Sequence, residues 1–293
     1  NIGVDDSMKI KEINMENELY PRKLREIEKS PKKLYVLGDE KALNTDSLSI
    51  IGSRCSTPYG EKIANTFAKG LAENGITIVS GMAKGIDSQA HLGAIEAGGK
   101  TIAVLGSGFS HIFPDKKVFE KILENGGTVI TEYEPDVGVF PQGFRDRNRI
   151  VAGLSLGVFV VEAKAHSGTG ITADYAKKFK RKIFCIPHII EDKSGIGTNR
   201  LIKNGAILVT SPEEILKYYE TKTRKEIKKT TIEKEIPKEY KKIYRLLKNE
   251  VLNADEISRK TKTNIIEINT QLTMLELEGY IENLPGNYFK AKE

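Results

Sequence analysis

Short apolar runs with strand character alternate with helix-like stretches along most of this chain of 293 residues. The runs that predict strands are 48–51, 77–80, 101–105, 128–131, 157–162, 182–186 and 206–209. The helix-like stretches between them are 60–74, 88–97, 117–124, 170–179 and 198–204. Near-continuous apolar strands separated by helices are typical of a parallel sheet that is covered on both faces. The pattern therefore predicts an α/β fold with a Rossmann-like, doubly wound, mostly parallel sheet over residues 45–216.

The composition changes after that domain. Residues 217–250 hold twelve Lys or Arg and six Asp or Glu, and 217–236 has little apolar periodicity, which indicates a charged linker. Helical patterns follow at 238–249, 253–261 and 265–278, and two short β-like runs surround Pro285-Gly286-Asn287. Three helices closed by a hairpin predict a small C-terminal winged-helix domain over 237–293. Residues 1–44 are expected to form a helical or extended lead-in.

The net charge of +6 favours an anionic partner without identifying it. Cys55 and Cys185 are far apart and form no C-x-x-C pair, so neither a disulfide framework nor a thiolate metal site is expected. This cysteine usage fits a cytoplasmic protein. The sequence contains no apolar run of the length, about 18 residues or more, that a membrane helix needs.

Several predicted strands are followed by loops of small residues. These loops contain Gly52-Ser53-Arg54, Lys84, Gly106-Ser107-Gly108 and Ser167-Gly168. Ligands of doubly wound sheets bind at the carboxyl ends of strands, where glycines admit a close backbone approach and helix N-termini and cations attract phosphates. One such loop alone is more often only a tight turn. Four of them on one edge predict a phosphate-binding surface.

The segment from Phe144 to Arg149 concentrates basic chemistry. Arg145, Arg147 and Arg149 lie within five residues together with Asn148, and Phe144 precedes them. Guanidinium forks suit phosphodiesters, and an aromatic ring can stack on an unpaired base. The alternative is a solvated basic patch with Phe144 in the core. We interpret the segment as part of a nucleic-acid site.

Familiar cofactor and catalytic motifs are incomplete. Gly99-Lys100-Thr101 ends like a P-loop, but it leads from a helix into a strand, which is the reverse of the P-loop order. Gly106-Ser107-Gly108 lacks the third glycine and the acidic partner of a dinucleotide site. The histidines lack zinc-ligand spacing, and no G-x-S-x-G nucleophile motif occurs. We therefore expect no cofactor, no metal and no catalysis.

These segments resemble the DNA-processing protein A family, also called DprA or Smf. The similarity runs from Tyr20-Pro21 through IIGSR, VSGMAKGIDSQAH, TIAVLGSG, RDRNRIVAGLS, VVEAKAHSGTGITADYA and GTNRLIKNGA to about Val209, in family order. The resemblance implies an extended Rossmann fold that binds single-stranded DNA and forms homodimers. It also implies a recombination mediator that protects incoming DNA and loads the RecA recombinase during natural transformation or recombination, without catalysis.

The loops and the resemblance together give a set of candidate site residues. The residues expected to bind DNA are Arg54, Lys84, Gly106, Ser107, Gly108, Lys116, Phe144, Arg145, Arg147, Asn148, Arg149, Lys164, Ser167 and Gly168. By resemblance, the homodimer surface is expected at Leu201, Ile202, Ile207 and Leu208. Arg54→Ala or Arg149→Ala is expected to weaken binding of all sequences alike.

The chain also departs from the family pattern. The family usually has a proline after the phenylalanine where Arg145 stands here, and Pro-Gly where this chain has Pro187-His188. The first change adds a cation, and the second leaves the geometry of the following loop open.

Two alternatives remain. Related Rossmann folds include nucleotide phosphoribohydrolases, whose glycine-rich motif would fall near SGTGITADYA; only Asp174 lies near the position of its catalytic glutamate. The second alternative is a nucleotide-sensing regulator whose winged helix reads DNA. Helix 265–278 has no Lys or Arg and carries Glu267, Glu276 and Glu278, which disfavours duplex readout.

Overall fold

We analysed a computed structural model, which describes residues 9–165, 167–218, 236–237 and 239–291. The chain divides into two compact units, Asn1–Tyr219 and Glu220–Glu293. Most of the predicted charged linker, residues 219–235, lies outside the described residues, as does His166.

The first unit is built on a nine-stranded sheet. Its strands are β1 (Lys11–Asn14), β2 (Lys33–Gly38), β3 (Ser47–Ile51), β4 (Thr77–Ser80), β5 (Thr101–Val104), β6 (Thr128–Thr131), β7 (Gly157–Val160), β8 (Lys182–Cys185) and β9 (Ile207–Leu208). Strands β3 to β9 pair in parallel with their neighbours in that group. They correspond to the seven predicted strands, so the predicted α/β fold with a mostly parallel sheet is confirmed.

The two N-terminal strands extend this sheet. β2 pairs antiparallel with β6, and β1 pairs antiparallel with β2. β2 carries four consecutive buried residues, from Leu34 to Leu37, because it is covered on both faces. Residues 11–38 thus contribute strands to the sheet, which the predicted lead-in did not specify.

Helices cover both faces of the sheet, as the alternating pattern predicted. They are α1 (Arg22–Arg25), α2 (Pro58–Ala72), α3 (Ile86–Glu96), α4 (Lys116–Glu124), α5 (Pro141–Leu154), α6 (Gly168–Lys178), α7 (Ile196–Lys203) and α8 (Pro212–Leu216). Apolar residues of α2, α3 and α8 share one core with Leu48 and Ile50 of β3. Those of α5 and α6 share the core on the other face with Val158 and Val160 of β7. No helix in the described part of the chain is long and apolar enough to cross a bilayer.

The strand order locates the expected binding edge. The sheet runs β1-β2-β6-β5-β4-β3-β7-β8-β9, so the direction of winding reverses between β3 and β7. In doubly wound sheets, a crevice opens outside the carboxyl ends of the strands at this reversal. The loops after β3 and β7 are therefore the place to look for a site.

The P-loop-like segment occupies a different position. α3 ends at Glu96 and β5 begins at Thr101, so Gly99-Lys100-Thr101 leads from a helix into a strand. The Nζ of Lys100 lies 2.8 Å from a carboxylate oxygen of Asp39. The lysine thus forms an exposed ion pair at this turn.

The second unit has the arrangement of a winged helix, as predicted. It contains α9 (Lys241–Asn249), β10 (Leu252–Asn253), α10 (Ala254–Thr261), α11 (Ile265–Leu277), β11 (Ile281–Leu284) and β12 (Tyr288–Ala291). The strands form an antiparallel sheet in the order β10-β12-β11. A reciprocal capping box between Asn253 and Glu256 starts α10. Apolar residues from all three helices and the hairpin make its core.

A buried histidine makes the stability of the first unit depend on pH. The side chain of His91 is fully buried in α3, and its Nδ1 lies 2.7 Å from the hydroxyl of Thr101. Burial, with a smaller contribution from Arg147, lowers the pKa of His91 to about 3. Because the pKa of an unfolded histidine is about 6.5, acid protonates His91 in the unfolded chain first. The contribution of neutral His91 to the free energy of unfolding is therefore fully present above about pH 6.5, and it is lost as the pH falls toward 3.

We expect His91→Asn to remove this dependence. Between pH 7 and 5, the free energy of unfolding of the wild type should fall by about 2 kcal/mol more than that of the variant. Urea unfolding of both proteins at the two pH values measures this difference. All other titrating groups are common to both proteins, so parallel pH curves would contradict the assignment.

Candidate nucleic-acid interface

A cleft of about 950 Å³ lies at the point where the strand order reverses. One wall is the loop after β3, from Gly52 to Cys55, and another is the start of α6 with Lys164 from the loop after β7. The first turns of α5 form a third wall, and Gly81 and Asp87 contribute from the loop after β4 and from α3. This cleft is the site that the topology predicts.

The mouth of the cleft combines a cation with aromatic rings. The guanidinium carbon of Arg54 lies 5.4 Å from the ring centroid of Phe144, within the range of a cation–π contact. The ring of Phe113 lies 5.8 Å from that of Phe144 and is tilted by 54°. Phe113 is 48% exposed, which is unusual for a phenylalanine in a folded domain. Two partly exposed rings and an exposed guanidinium therefore face the same opening.

A buried carboxylate holds the loop that carries Arg54. Glu162 follows β7 and is fully buried. Its carboxylate accepts hydrogen bonds from the backbone N–H of Thr57, at 3.2 Å, and from the Thr57 hydroxyl. Thr57 also caps α2, because its hydroxyl accepts a bond from the N–H of Gly60. The two central loops of the sheet are thus joined directly, which fixes the backbone beside Arg54.

The floor of the cleft contains a buried arginine and a buried carboxyl group. Arg147 is 3% exposed, and its Nη1 donates to the carbonyl of Val104 at 2.5 Å. Burial lowers the pKa of Arg147 to about 10, although Asp87 opposes this shift. Burial raises the pKa of Asp87, and Arg147 counteracts it. Within the described part of the chain, the Nε of Arg147 has no hydrogen-bond partner.

Gly81 makes room for this arginine. A Cβ atom at Gly81 would overlap the guanidinium of Arg147. A glycine of the loop after β4 thus has a packing role, as the tight-turn interpretation of such loops allows.

The start of α6 closes the cleft on the β7 side. The hydroxyl of Thr169 donates to the carbonyl of Gly52 at 3.1 Å, which fixes the helix start against the loop after β3. The buried Oγ of Ser167 has no partner among the described residues. Gly168 and Lys164 are exposed beside it. A helix N-terminus with a nearby cation favours an anionic group here.

The structure brings together many of the predicted site residues. Those that line the cleft are Arg54, Phe144, Arg145, Arg147, Asn148, Lys164, Ser167 and Gly168. Those that do not line it are Lys84, Gly106, Ser107, Gly108, Lys116 and Arg149.

The surroundings of the Arg149 side chain differ most from those predicted. Its Nη1 and Nη2 donate to the two carboxylate oxygens of Glu132 at 2.6 and 2.5 Å, and its Nε donates to the carbonyl of Lys29 at 2.8 Å. Burial opposes the charge of this guanidinium, but the bidentate partner Glu132 raises the pKa of Arg149 above its usual value. Arg149 is only 9% exposed. The prediction that it offers a guanidinium to DNA is therefore corrected: the side chain joins α5 to the end of β6.

The loop after β5 is also a packing element. Gly106 meets the backbone of Gly143 and the ring of Phe144, so a side chain there would push α5 away. The hydroxyl of Ser107 donates to the carbonyl of His111, and a Cβ at Gly108 would strike the backbone of Glu134 and Pro135. The three residues are buried and do not line the cleft, so their assignment as phosphate ligands stays a prediction that this packing disfavours.

Two of the predicted lysines are exposed outside the cleft. Lys84 precedes Gly85, the N-cap residue of α3. Lys116 begins α4 and lies 3.6 Å from Glu120 of the same helix. Neither lines the cleft, so a contact with bound DNA would need a strand that extends beyond it.

Some residues that line the cleft were not predicted from the sequence. Phe113, Val139 and Phe140 give the cleft an apolar side, and Val139 is 44% exposed. The only signal was an apolar residue beside a proline in Phe113-Pro114 and Phe140-Pro141, which is too common to indicate a site.

The residues predicted for a dimer surface lie at the β9 edge of the sheet. Leu201 and Ile202 of α7 are half-buried against the core. Ile207 is half-buried, whereas Leu208 is 46% exposed. These positions leave apolar side chains accessible along one edge.

His188, which replaces the usual glycine, is accommodated inside the fold. Its Nε2 lies 2.8 Å from the carbonyl of Val161, and its backbone N–H donates to Asn199. Gly195 leaves the space for the imidazole, since a Cβ there would overlap the histidine side chain. The histidine thus links the loop after β8 to β7 and α7.

Comparison with known sequences decides the family. The sequence model of the family described as DNA recombination-mediator protein A matches residues 11–220, and that of the DprA winged-helix domain matches residues 228–287. The chain belongs to the DNA recombination-mediator protein A family. Protein Smf of Escherichia coli K12 is 35% identical over 288 residues, which cover 96% of this chain and 77% of that protein.

Solved structures of the same family share the fold. DprA of Streptococcus pneumoniae matches with a TM-score of 0.68 and 38% identity, over 72% of this chain and 75% of that one. DNA processing protein A of Helicobacter pylori, whose structure is described in terms of its single-stranded DNA binding mode, matches with a TM-score of 0.64 and 34% identity. That match covers 71% of this chain and 97% of the other. As a member of this family, the chain is a DNA-processing recombination mediator.

Proposed function

We propose that the cleft at the sheet reversal binds single-stranded DNA. The observation that carries this proposal is the pair formed at its mouth by the exposed Arg54 and the partly exposed Phe144, with Phe113 beside it. Unpaired bases stack on aromatic rings, whereas the bases of a duplex are already stacked and paired. The mouth therefore fits a strand whose bases are free.

The polar groups of the cleft fit the backbone of that strand. Arg54, Arg145 and Lys164 are exposed cations that line it, and the N-terminus of α6 adds backbone N–H groups. Such contacts neutralise phosphates and release counterions, so affinity should fall steeply with salt. Stacking and phosphate contacts read no base edges, so affinity should depend weakly on sequence.

The bound strand is passed on to another protein and is not chemically altered. We infer that the protein protects incoming single strands and loads the RecA recombinase onto them during natural transformation or recombination, and that it acts as a homodimer. Family membership and a cleft of stacking rings and cations support this inference. The exposed Leu208 of β9, the edge strand of the sheet, supports the proposed dimer edge. We infer a cytoplasmic location, which the two unpaired cysteines favour.

Phe144→Ala is expected to weaken single-strand binding about tenfold to a hundredfold, because one base loses its stacking surface. Phe144→Trp should retain most of the affinity. Fluorescence anisotropy with a labelled oligothymidine measures both. The matched control is Tyr59→Ala, which removes a ring that is 52% exposed and does not line the cleft. Equal effects of Phe144→Ala and Tyr59→Ala would contradict stacking at this position.

The loading step needs a separate assay. RecA filament formation on a strand precoated with single-strand binding protein should be faster with the protein than without it. Arg54→Ala should remove this acceleration together with binding. The competing enzymatic hypothesis is tested on the same preparation: release of free base from nucleoside monophosphates would favour a phosphoribohydrolase.

A further inference from the structure

Helix α11 of the winged-helix unit has two apolar faces. One face packs in the core of the unit through Ile268, Leu272 and Leu275. At 3.6 residues per turn, the opposite face carries Ile266, Thr270, Thr273 and Leu277, spaced by four, three and four residues. Ile266 is 73% exposed and Leu277 is 77% exposed. We call these four residues the outer stripe.

The two threonines make the outer stripe more apolar than its composition indicates. The hydroxyl of Thr270 donates to the carbonyl of Ile266 at 3.0 Å, and that of Thr273 donates to the carbonyl of Asn269 at 2.9 Å. Because each hydroxyl is bonded to its own helix, the methyl groups remain for contact. A helix that is apolar on opposite faces is normally covered on both.

Acidic side chains flank the outer stripe. By helical periodicity, Glu267 and Glu278 lie along one side of it and Glu276 along the other. α11 contains no Lys or Arg. A groove of about 480 Å³ between α11, the start of α10 and the hairpin adds the carboxylate of Asp255 beside Glu276. The surroundings of the stripe are therefore negative on both sides.

We propose that the outer stripe is a docking surface for a helix of another protein. That helix has apolar residues at alternating three- and four-residue spacing, flanked by Lys or Arg. The spacing of the stripe is the one by which two helices pack side by side. The acidic flanks specify the basic flanks of the partner, since charges beside such a seam determine which helices pair. The stripe shares no residue with the proposed DNA cleft.

The acidic residues beside the outer stripe disfavour two other occupants. A DNA duplex would place its phosphates against Glu267, Glu276 and Asp255, where a DNA-reading helix has cations. A second copy of α11 would set carboxylates against carboxylates along the seam, which costs affinity. A basic amphipathic helix meets both the apolar and the acidic features.

The test uses the full chain and a designed probe. The probe is a fluorescein-labelled peptide of about three heptads with Leu at the seam positions and Lys beside them. A twin peptide has Glu in place of every Lys. The chain variants are Ile266→Ser with Leu277→Ser, and Glu267→Lys with Glu276→Lys. Val251→Ser is the matched control, because Val251 is 45% exposed in the same unit but lies outside α11.

We expect saturable binding of the Lys peptide, at least about tenfold tighter than that of the Glu peptide. The double serine variant should weaken it about tenfold or more, and Val251→Ser should leave it unchanged. The double lysine variant should reverse the preference between the peptides. Circular dichroism and thermal melts check that each variant remains folded.

Three results would overturn the proposal. The first is binding of the Lys peptide that does not saturate or survives the double serine variant. The second is self-association of the wild type in sedimentation that the same variant abolishes, which would assign the stripe to a second copy. The third is duplex DNA binding that depends on Ile266 and Leu277.

Discussion

Arg54→Ala should weaken binding of a single-stranded oligonucleotide about tenfold to a hundredfold. The guanidinium lies 5.4 Å from the Phe144 ring at the mouth of the cleft. There it can neutralise a phosphate while the ring carries the neighbouring base, and a charged hydrogen bond of this kind contributes about 1.5–3 kcal/mol. The loss should be similar for thymidine-rich and mixed sequences. The slope of log affinity against log salt should fall in magnitude by about 0.7, the value for one phosphate of a single strand.

Two further variants separate charge from geometry at this position. Arg54→Lys keeps the charge but loses the flat guanidinium that packs on the ring, so its affinity should lie between those of wild type and Arg54→Ala. Arg22→Ala removes an exposed arginine of α1 that does not line the cleft, and it should change affinity little. If Arg22→Ala and Arg54→Ala weaken binding equally, the effect is one of net charge and the cleft is not the site.

Arg149→Ala should act on stability rather than on DNA contact. The substitution leaves Glu132 largely buried without its bidentate partner, and removing one member of a buried pair costs about 3–5 kcal/mol. For a unit of this size, that loss corresponds to a fall in melting temperature of about 6–20 °C. Scanning calorimetry measures the shift. At a temperature where the variant is folded, its affinity for a single strand should be close to that of the wild type.

The matched control replaces both partners. Arg149→Met with Glu132→Leu removes the two charges together, so no buried charge remains unpaired, and the double variant should be more stable than Arg149→Ala. A stable Arg149→Ala protein with strongly weakened binding would restore the original prediction that this arginine contacts DNA.

The parallel part of the fold was predictable because its strands are buried on both faces. Each of β3 to β7 is buried throughout, so the apolar runs stood out from the helices between them. β1 has one buried residue, Ile13, and therefore gave no such signal. Its place depends on antiparallel pairing with β2, whose own pairing with β6 joins residues about a hundred positions apart. Local sequence carries little information on such pairing.

The site was predictable where local motifs determine it and not where distant partners do. Arg54 and Ser167 follow strands on either side of the reversal. Because ligands of doubly wound sheets bind at the carboxyl ends of these strands, the two residues could be located from the sequence. Arg145, Arg147 and Arg149 look equivalent in sequence, yet helical geometry turns Arg147 to the opposite side of α5 from Arg145. Arg149 meets Glu132 only because β6 ends beside α5. The sequence revealed the cluster of arginines but not which of them is exposed.

The most direct test of single-strand binding is anisotropy of the wild-type protein with labelled oligothymidine and with the matching duplex, each at low and at high salt. We expect clearly tighter binding of the single strand at low salt and a steep loss of that binding at high salt. Equal affinity for both forms of DNA, or single-strand binding that does not respond to salt, would contradict a cleft that works by stacking and phosphate neutralisation.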